Sequence, residues 1–213
     1  MKKILLFALP LLAMIAVSCE KDSKELSGDD IIEFKDPNFL KVLLNVQEIE
    51  IYDEETDDWV LYMMDVDANK DGKISVNEAQ KVKGLILIDY ETGESFNIKE
   101  MPEIKYFTAL THLYCGGNQL TTLDLSKNTA LTYLSCGGNQ LTTLDVSGCT
   151  ALTHLYCDDN QLTTLHLSKN IALTGLDCSD NQLTKVILSA NHSLNNYTIQ
   201  HIINEYGNII EYR

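Results

Sequence analysis

The stretch that decides the fold is "LTYLSCGGNQLTTL", which occupies residues 131–144. Close copies of it begin at Leu110, Leu152 and Leu173, so the unit returns every 21 residues, and Leu194 begins an incomplete fifth copy. Self-similarity at a fixed period of this size is typical of solenoids, in which each unit buries its apolar side against the next. The sequence therefore predicts parallel strands stacked along one axis.

One cysteine stands at the same point of every copy. Because side chains alternate along a strand, Leu113 and Cys115 are expected to point into the core while His112 and Tyr114 point outward. Stacked strands lie about 4.8 Å apart, so the cysteine column spans about 14 Å and cannot gather around one zinc ion. Parallel Cβ atoms at about 4.8 Å are also too distant for a relaxed disulfide, which needs roughly 3.5–4.5 Å. We predict that the column is core filler made of free, buried, unreactive thiols: Cys115, Cys136, Cys157 and Cys178.

A column of asparagines follows the cysteines, at Asn118, Asn139, Asn160 and Asn181. Each stands where the backbone leaves the strand and loses its sheet partners, and an inward amide can satisfy the donors and acceptors of that loop. We therefore predict a structural role for this column. Cys149 stands apart from both columns and is expected to be an idiosyncratic substitution. The segment "LTTLDLSKN" leads the chain from the end of one strand back along the convex side to the start of the next repeat. We call it the return segment, and it is too short for a full helix.

The repeat resembles the leucine-rich repeat, whose core pattern is LxxLxLxxNxL, with cysteine here in the third leucine position. The resemblance covers about residues 82–200, and the repeats are similar to those of internalin-like bacterial surface proteins. It implies an α/β fold, a right-handed leucine-rich-repeat solenoid over residues 82–194. Both ends of such a stack need covers. For the C-terminal cap, residues 195–213, we predict a helix that ends at Gly207 and then a short strand; its apolar positions are Ile199, Ile202, Ile203 and Tyr206.

Residues 32–81 have a different composition and hold the motif "DANKDGKISVNE" at residues 67–78. The motif resembles the twelve-position EF-hand loop, with Gly72 at the sharp turn, and this resemblance implies one structural calcium ion. The alternative is an acidic turn that never binds metal. We expect a helical cap segment, with one helix starting at Asp36 and Pro37 and another, "DWVLYMM" at residues 58–64, leading into the loop. The implied ligands are Asp67, Asn69, Asp71, Lys73 through its carbonyl, and Glu78.

The first residues are predicted to be an export signal. Two lysines precede an apolar run from Ile4 to Val17 that is too short to span a bilayer comfortably, and small residues precede Cys19. The ending "AVSC" resembles the lipobox of bacterial lipoproteins, which implies signal-peptide cleavage after residue 18 and a lipid on Cys19. The alternative is ordinary cleavage with Cys19 a bystander. Residues 19–31 are then a flexible tether, and the lipid anchors the chain in the outer membrane of a Gram-negative bacterium, facing the cell surface.

Charge and motifs exclude several classes of function. The formal charge is −15, which argues against nucleic acid or an anionic membrane surface as a partner. Arg213 is the only arginine, so the bidentate phosphate clamp is missing from the interior of the chain. No nucleophile–base pair or phosphate-binding loop is present, and we predict that the chain is not an enzyme. The weaker alternative is a hydrolytic site among His154, Asp158, Asp159 and Asp177.

The outward positions of the repeats change from copy to copy while the frame stays fixed. They grade from an aromatic and histidine patch to a carboxylate patch, which suits a peptide, protein or glycan and a cationic group. The alternatives are drift at exposed positions and a structural or accessory lipoprotein without a specific ligand. We expect a monomer whose ligand-binding residues are His112, Tyr114, Tyr133, His154, Tyr156, Asp158, Asp159, Asp177 and Asp180.

Overall fold

The computed structural model describes residues 25–45, 47–53, 58–88 and 95–213, and for residues 47–53 and 58–64 it describes the backbone only. The predicted signal peptide and Cys19 lie outside the described residues. The helices are α1 (Pro37–Leu44), α2 (Val76–Ala79), α3 (Asn196–Tyr206) and a 3₁₀ helix (Pro102–Tyr106). The strands are β1 (Gln47–Asp53), β2 (Asp58–Met64), β3 (Gly84–Ile86), β4 (His112–Tyr114), β5 (Tyr133–Ser135), β6 (His154–Tyr156), β7 (Thr164–Leu167), β8 (Gly175–Asp177), β9 (Lys185–Leu188) and β10 (Ile210–Tyr212).

The repeats form the predicted parallel ladder. The main sheet has the strand order β3-β4-β5-β6-β8, and all its pairs are parallel. The register follows the 21-residue period, so Leu113 pairs with Leu134, Leu134 with Leu155 and Leu155 with Leu176. We call the outward side of this sheet the concave face.

The return segments form a second parallel sheet instead of helices. Its strand order is β10-β9-β7, and the earlier returns contribute only an isolated parallel bridge between Asp124 and Asp145. A return of about nine residues must also carry the chain to the next strand, and extended segments span that distance in fewer residues than a helix; the Thr and Leu residues then repeat in register with the next copy. The expectation that the return lacks a full helix is confirmed.

Between the two sheets lies one leucine-rich core. The first leucine of every copy is almost fully inaccessible, at 0 % exposure for Leu110, Leu131 and Leu152 and 1 % for Leu173. A column of this kind cannot be buried within a single repeat, because each leucine covers the one before it. The core is therefore shared by all repeats.

Helix α1 starts as predicted. The Asp36 side chain accepts a hydrogen bond from the backbone N–H of Asn38 at 2.8 Å, and Pro37 holds the first helical position. Phe39 is fully buried, with its ring centroid 5.4 Å from that of Phe34 and 6.3 Å from that of Phe107. The helix thus docks the N-terminal segment onto the end of the solenoid.

The expected helix at residues 58–64 is wrong. These residues form strand β2, which pairs antiparallel with β1 from Gln47↔Met64 to Asp53↔Asp58. The stretch is rich in Trp, Val and Tyr, and "QEIEIYD" before it alternates with period two, so the two segments satisfy each other's backbone as a hairpin. The loop at residues 67–78 is consequently entered from a strand, and only its exit, α2, is helical.

The C-terminal cap matches its prediction. Asn195 caps helix α3 by accepting a hydrogen bond from the Thr198 N–H, and Gly207 ends the helix with φ +78°. The Tyr206 hydroxyl donates to the Cys178 carbonyl at 2.9 Å and accepts from the Asn181 N–H at 2.9 Å. Helix α3 therefore closes the last repeat, and β10 adds the last strand to the second sheet.

Candidate functional site

The cysteine column is buried as predicted. Cys115, Cys136 and Cys157 are 0 % exposed and Cys178 is 2 % exposed, and each of the described cysteines carries a free thiol. Burial raises the pKa of Cys136 and that of Cys178 to about 12 each, and nearby aspartates add to the rise. Thiolate formation is correspondingly unfavourable, which supports a packing role.

Each asparagine described below forms side-chain hydrogen bonds to the backbone of its own repeat and of the preceding one. The Asn139 amide donates to the carbonyls of Cys115 and Cys136 at 3.0 Å each, and its oxygen accepts from the Leu120 N–H at 3.0 Å. Asn160 repeats the pattern one copy later, with bonds to Cys136 and to the Leu141 N–H. The structural role predicted for this column is confirmed.

A second asparagine column escaped the sequence prediction. The Asn170 amide donates to the carbonyls of Val146 and Cys149 at 2.9 Å each, and Asn128, two repeats earlier, makes the equivalent bonds to Ile104 and Phe107. Cys149 stands between them in the 21-residue register, and its thiol lies 3.6 Å from the Asn128 carbonyl. The sequence signal for this column is the spacing of 21 residues between positions 128, 149 and 170. Cys149 therefore occupies an asparagine position of the second column.

Five rings come together on the concave face. We call His112, Tyr114, Tyr133, His154 and Tyr156 the aromatic cluster. The Tyr133 centroid lies 4.7 Å from Tyr114 and 5.5 Å from Tyr156, with 5.9 Å to His112 and 5.6 Å to His154. In the pairs of Tyr133 with Tyr114 and with the two histidines, the planes are within 29° of parallel. The rings therefore stack on one another, and the structure brings together all the predicted aromatic residues.

The register explains this stacking. Tyr133 pairs with His112 and His154 in one column, while the small Ser135 separates Tyr114 from Tyr156 in the next. The Tyr133 ring fills the space that Ser135 leaves between the two tyrosines. Tyr114 is only 7 % exposed as a result.

Threonine side chains orient both histidines. Nδ1 of His154 lies 3.1 Å from Oγ1 of Thr153, and that hydroxyl donates its proton to the Thr132 carbonyl at 3.0 Å. Because the hydroxyl has no second proton to give, Nδ1 must be the donor in this contact. His112 is held in the same way by Thr111. The ring orientation is thus fixed by the repeat frame.

Two glycines are required by neighbouring side chains. A Cβ at Gly175 would clash with the His154 ring, and one at Gly137 would lie 2.5 Å from Oδ1 of Asp158. Both side chains therefore lie over the backbone of the adjacent repeat. A single sequence gives no sign of this requirement, because the clash depends on side-chain direction.

The carboxylates gather at the end of the strands nearest helix α3. We call Asp158, Asp159, Asp177 and Asp180 the acidic cluster. Burial raises the pKa of Asp158, and the charges of Asp177, Asp159 and Asp180 add to the rise. Asp177 accepts hydrogen bonds from the Ser179 N–H and hydroxyl, at 3.0 and 2.6 Å. Asp158 therefore stands half-buried among like charges.

Asp159 and Asp180 also take a backbone position that favours glycine. Their φ angles are +48° and +51°, and the equivalent residues of the earlier copies are Gly117 and Gly138, at +62° and +63°. Aspartate tolerates this left-handed conformation better than most residues, although it is less favourable there than glycine. Asp159 and Asp180 thus replace glycines at a constrained turn.

The loop at residues 67–78 has the expected turn, but the side chain of Glu78, the last predicted ligand, is hydrogen-bonded within the loop. Gly72 has φ +76° and donates to Asp67 at 2.8 Å, and Asp71 donates its backbone N–H to Asn69 at 2.9 Å. Glu78 instead accepts from the Ser75 N–H and hydroxyl at 2.9 and 2.8 Å. Burial raises the pKa of Glu78, but these hydrogen bonds from Ser75 bring it below its ordinary value.

The donor set fits calcium, whereas the side-chain arrangement fits it only in part. The predicted ligands are all oxygens, as calcium prefers. Within the described residues, however, no three His, Cys, Asp or Glu side chains form a group that could hold a metal ion. Glu78 would have to exchange its bonds to Ser75 for bonds to the ion.

Comparison with known proteins supports the fold. The family profile of leucine-rich repeats matches residues 108–147 and 129–169. The fold is a leucine-rich-repeat solenoid. The leucine-rich repeats are similar to the functional domain of InlJ from Listeria monocytogenes, whose structure includes a cysteine ladder, with 43 % identity and a TM-score of 0.52. That match covers 57 % of this chain and 26 % of the other.

A further match is to an internalin, InlF, from Listeria monocytogenes, with 17 % identity and a TM-score of 0.42. It covers 84 % of this chain and 55 % of the internalin. The leucine-rich-repeat chain thus spans about a quarter of the InlJ structure and about half of the InlF structure. No curated protein matches it significantly. In the described part of the chain, no helix has the length and apolar character needed to cross a membrane.

Proposed function

We propose that this leucine-rich-repeat chain is a cell-surface binding module whose concave face engages an extended ligand. The observation that carries the proposal is the aromatic cluster, in which rings from three neighbouring strands pack together beside the acidic cluster. The repeat frame accounts for the buried leucines, cysteines and asparagines but requires no rings here. Internalin-like neighbours favour recognition over catalysis, although the fold alone names no ligand.

The area of the concave face limits the affinity. Five strands at about 4.8 Å, each taken with its flanking loop residues to a length of about six residues, give a footprint on the order of 500 Å². A standard stable protein complex buries about 800 Å² per partner. We therefore propose weak monovalent binding to a peptide, glycan or protein segment, strengthened when many tethered copies act together on one cell.

The test is adhesion of cells or beads that display the chain to host and bacterial surface material. Tyr133→Ala removes the centre of the stack, while Thr164→Ala truncates an exposed side chain of the second sheet and serves as the matched control. We expect adhesion to fall in the first variant and to persist in the second when both are assayed well below their measured melting temperatures. Equal adhesion of both variants would contradict the proposal.

Attachment to the membrane belongs to the same proposal. A lipid on Cys19 would hold the module at the outer membrane, as the signal-like residues before it favour. The measurement is fatty-acid labelling of the full chain and of Cys19→Ser, together with membrane fractionation. Labelling that persists in Cys19→Ser would overturn the anchor.

We also propose that the loop at residues 67–78 binds calcium as a structural staple. Support comes from its oxygen donors and from its position against residues 28–32. The Ile32 N–H donates to the Ile74 carbonyl at 2.8 Å, and the Val76 N–H donates to the Asp30 carbonyl at 3.0 Å. An ion that orders the loop would therefore also fasten the described start of the chain.

A further inference from the structure

At the centre of the aromatic cluster the ring faces are covered by neighbouring rings and backbone. Tyr133 is stacked between Tyr114 and the ring of His154, with centroid distances of 4.7 and 5.6 Å. The His154 ring also lies against Gly175, because a Cβ at that position would clash with it. Tyr114, at one end of the stack, is 7 % exposed. Tyr133 and His154 at the centre of the cluster therefore offer a ligand their ring edges more than their faces.

This geometry selects between the ligand classes that the concave face could take. A sugar stacks its C–H groups on an exposed aromatic face, where the quadrupole is negative, whereas ring edges are positive and attract carbonyl oxygens. The carbonyls of an extended polypeptide recur along its length and meet such edges well. The rings of this cluster consequently favour a peptide over a glycan.

The charge next to the rings selects the kind of peptide. Asp158 follows strand β6 directly after Cys157, so it stands at the end of the strand that carries His154 and Tyr156. Glu205 of helix α3 lies beside the acidic cluster and accepts a hydrogen bond from the Asp180 N–H at 2.7 Å. Burial raises the pKa of Asp158 and the neighbouring aspartate charges add to the rise, and a cationic group would offset those charges.

We propose that the concave face binds an extended basic polypeptide segment, with its backbone across the aromatic cluster and a lysine or arginine at the acidic cluster. This inference rests on the proposed function and narrows it to one ligand class. Complementary charge supplies the specificity, and the ring edges supply the contact area.

Fluorescence polarisation with defined probes tests the inference. The probes are the decapeptides (Lys-Ser)₅, (Gln-Ser)₅ and (Glu-Ser)₅, with cellohexaose and chitohexaose as glycans. The site variant is Asp158→Asn with Asp177→Asn. The matched control is Asp124→Asn with Asp145→Asn, which removes the same charge from the return segments, where both carboxylates accept bonds that asparagine retains.

We expect (Lys-Ser)₅ to bind more tightly than either other peptide and to lose about tenfold in affinity in the site variant but less than twofold in the control. Binding of a glycan but not of the peptide would overturn the inference, as would equal losses in the two variants, which indicate attraction to net charge alone. If no probe binds while adhesion still depends on Tyr133, the ligand is not a basic peptide, but the proposal that the concave face is a binding module is retained.

Discussion

In the four full repeats each buried position recurs with nearly the same residue, whereas each buried position described in residues 25–81 occurs once. Leu113, Leu134 and Leu155 hold one place in the fold, and all three are fully buried. Phe39 is as deeply buried in the N-terminal segment but has no counterpart elsewhere in the chain. A repeated position reveals its role through its period, while a unique position depends on neighbours that are distant in sequence.

The largest expected effect comes from the core of a middle repeat. Leu155→Ala removes a fully buried side chain and leaves a cavity, so we expect a loss of about 3–4 kcal/mol in the free energy of unfolding. The measurement is urea denaturation followed by circular dichroism.

Leu43→Ala in helix α1 is the counterpart outside the repeats, since Leu43 is 1 % exposed. We expect it to cost less, about 2–3 kcal/mol, because a short helix at the end of the stack can relax into the cavity. A larger loss for Leu43→Ala than for Leu155→Ala would break the contrast between the two regions.

The next effect concerns the asparagine column. Asn139→Ala deletes one acceptor and one amide that together serve the Leu120 N–H and the Cys115 and Cys136 carbonyls. These groups are buried and would lose their partners, so we expect a loss of about 2–3 kcal/mol. Gln140→Ala is the adjacent exposed control, expected to change stability by less than about 0.5 kcal/mol. Equal melting of the two variants would contradict a structural role for the column.

Most buried positions of the repeats could be predicted residue by residue, whereas in the N-terminal segment this succeeded only for the start of helix α1 and for the turn at Gly72. The period of 21 placed the buried cysteines and asparagines, because each inference was repeated in several copies. Strand β2 was mistaken for a helix because its pairing with β1, not its own pattern, decides its conformation. The predicted outward column placed Tyr133 correctly, but its stacking depends on the small Ser135 and on rotamers, which spacing does not specify.

Calcium offers a way to sharpen the comparison, because its proposed binding site lies in the N-terminal region. With a dissociation constant between about 10⁻⁴ and 10⁻³ M, roughly 10 mM calcium should stabilise that region by about 2 kcal/mol. We expect binding heat in titration calorimetry and slower amide exchange at residues 28–32 with calcium. Glu78→Gln retains a side chain that can cap α2 but loses the bidentate carboxylate, so it should abolish both changes.

A second variant separates binding from its transmission to residues 28–32. Val76→Pro deletes the N–H that bonds the Asp30 carbonyl, at the first position of α2, where proline is favoured. Ser75 already has the extended conformation that a following proline requires, with φ −84° and ψ 162°. We expect normal binding heat and a smaller slowing of exchange. Slowing equal to that of wild type would show that this bond does not couple the loop to the segment.

The smallest effect returns to the repeats and asks whether Cys149 is a defect in an otherwise regular column. Asn170 bonds the carbonyls of Val146 and Cys149, and the same geometry one repeat earlier would let Cys149→Asn bond those of Leu125 and Asn128. Two good amide bonds replace one long thiol contact of 3.6 Å.

Part of this gain is offset, because the side-chain oxygens of Asn128 and Asn170 have no partner among the described residues and a new asparagine would add a third. We therefore expect Cys149→Asn to raise the free energy of unfolding by about 0.5–1 kcal/mol and Cys149→Ala to lower it by about 1 kcal/mol. Urea denaturation of both variants measures the difference. If the asparagine variant is less stable than the alanine variant, an asparagine cannot form the hydrogen bonds of the column at position 149, and the column does not extend through that repeat.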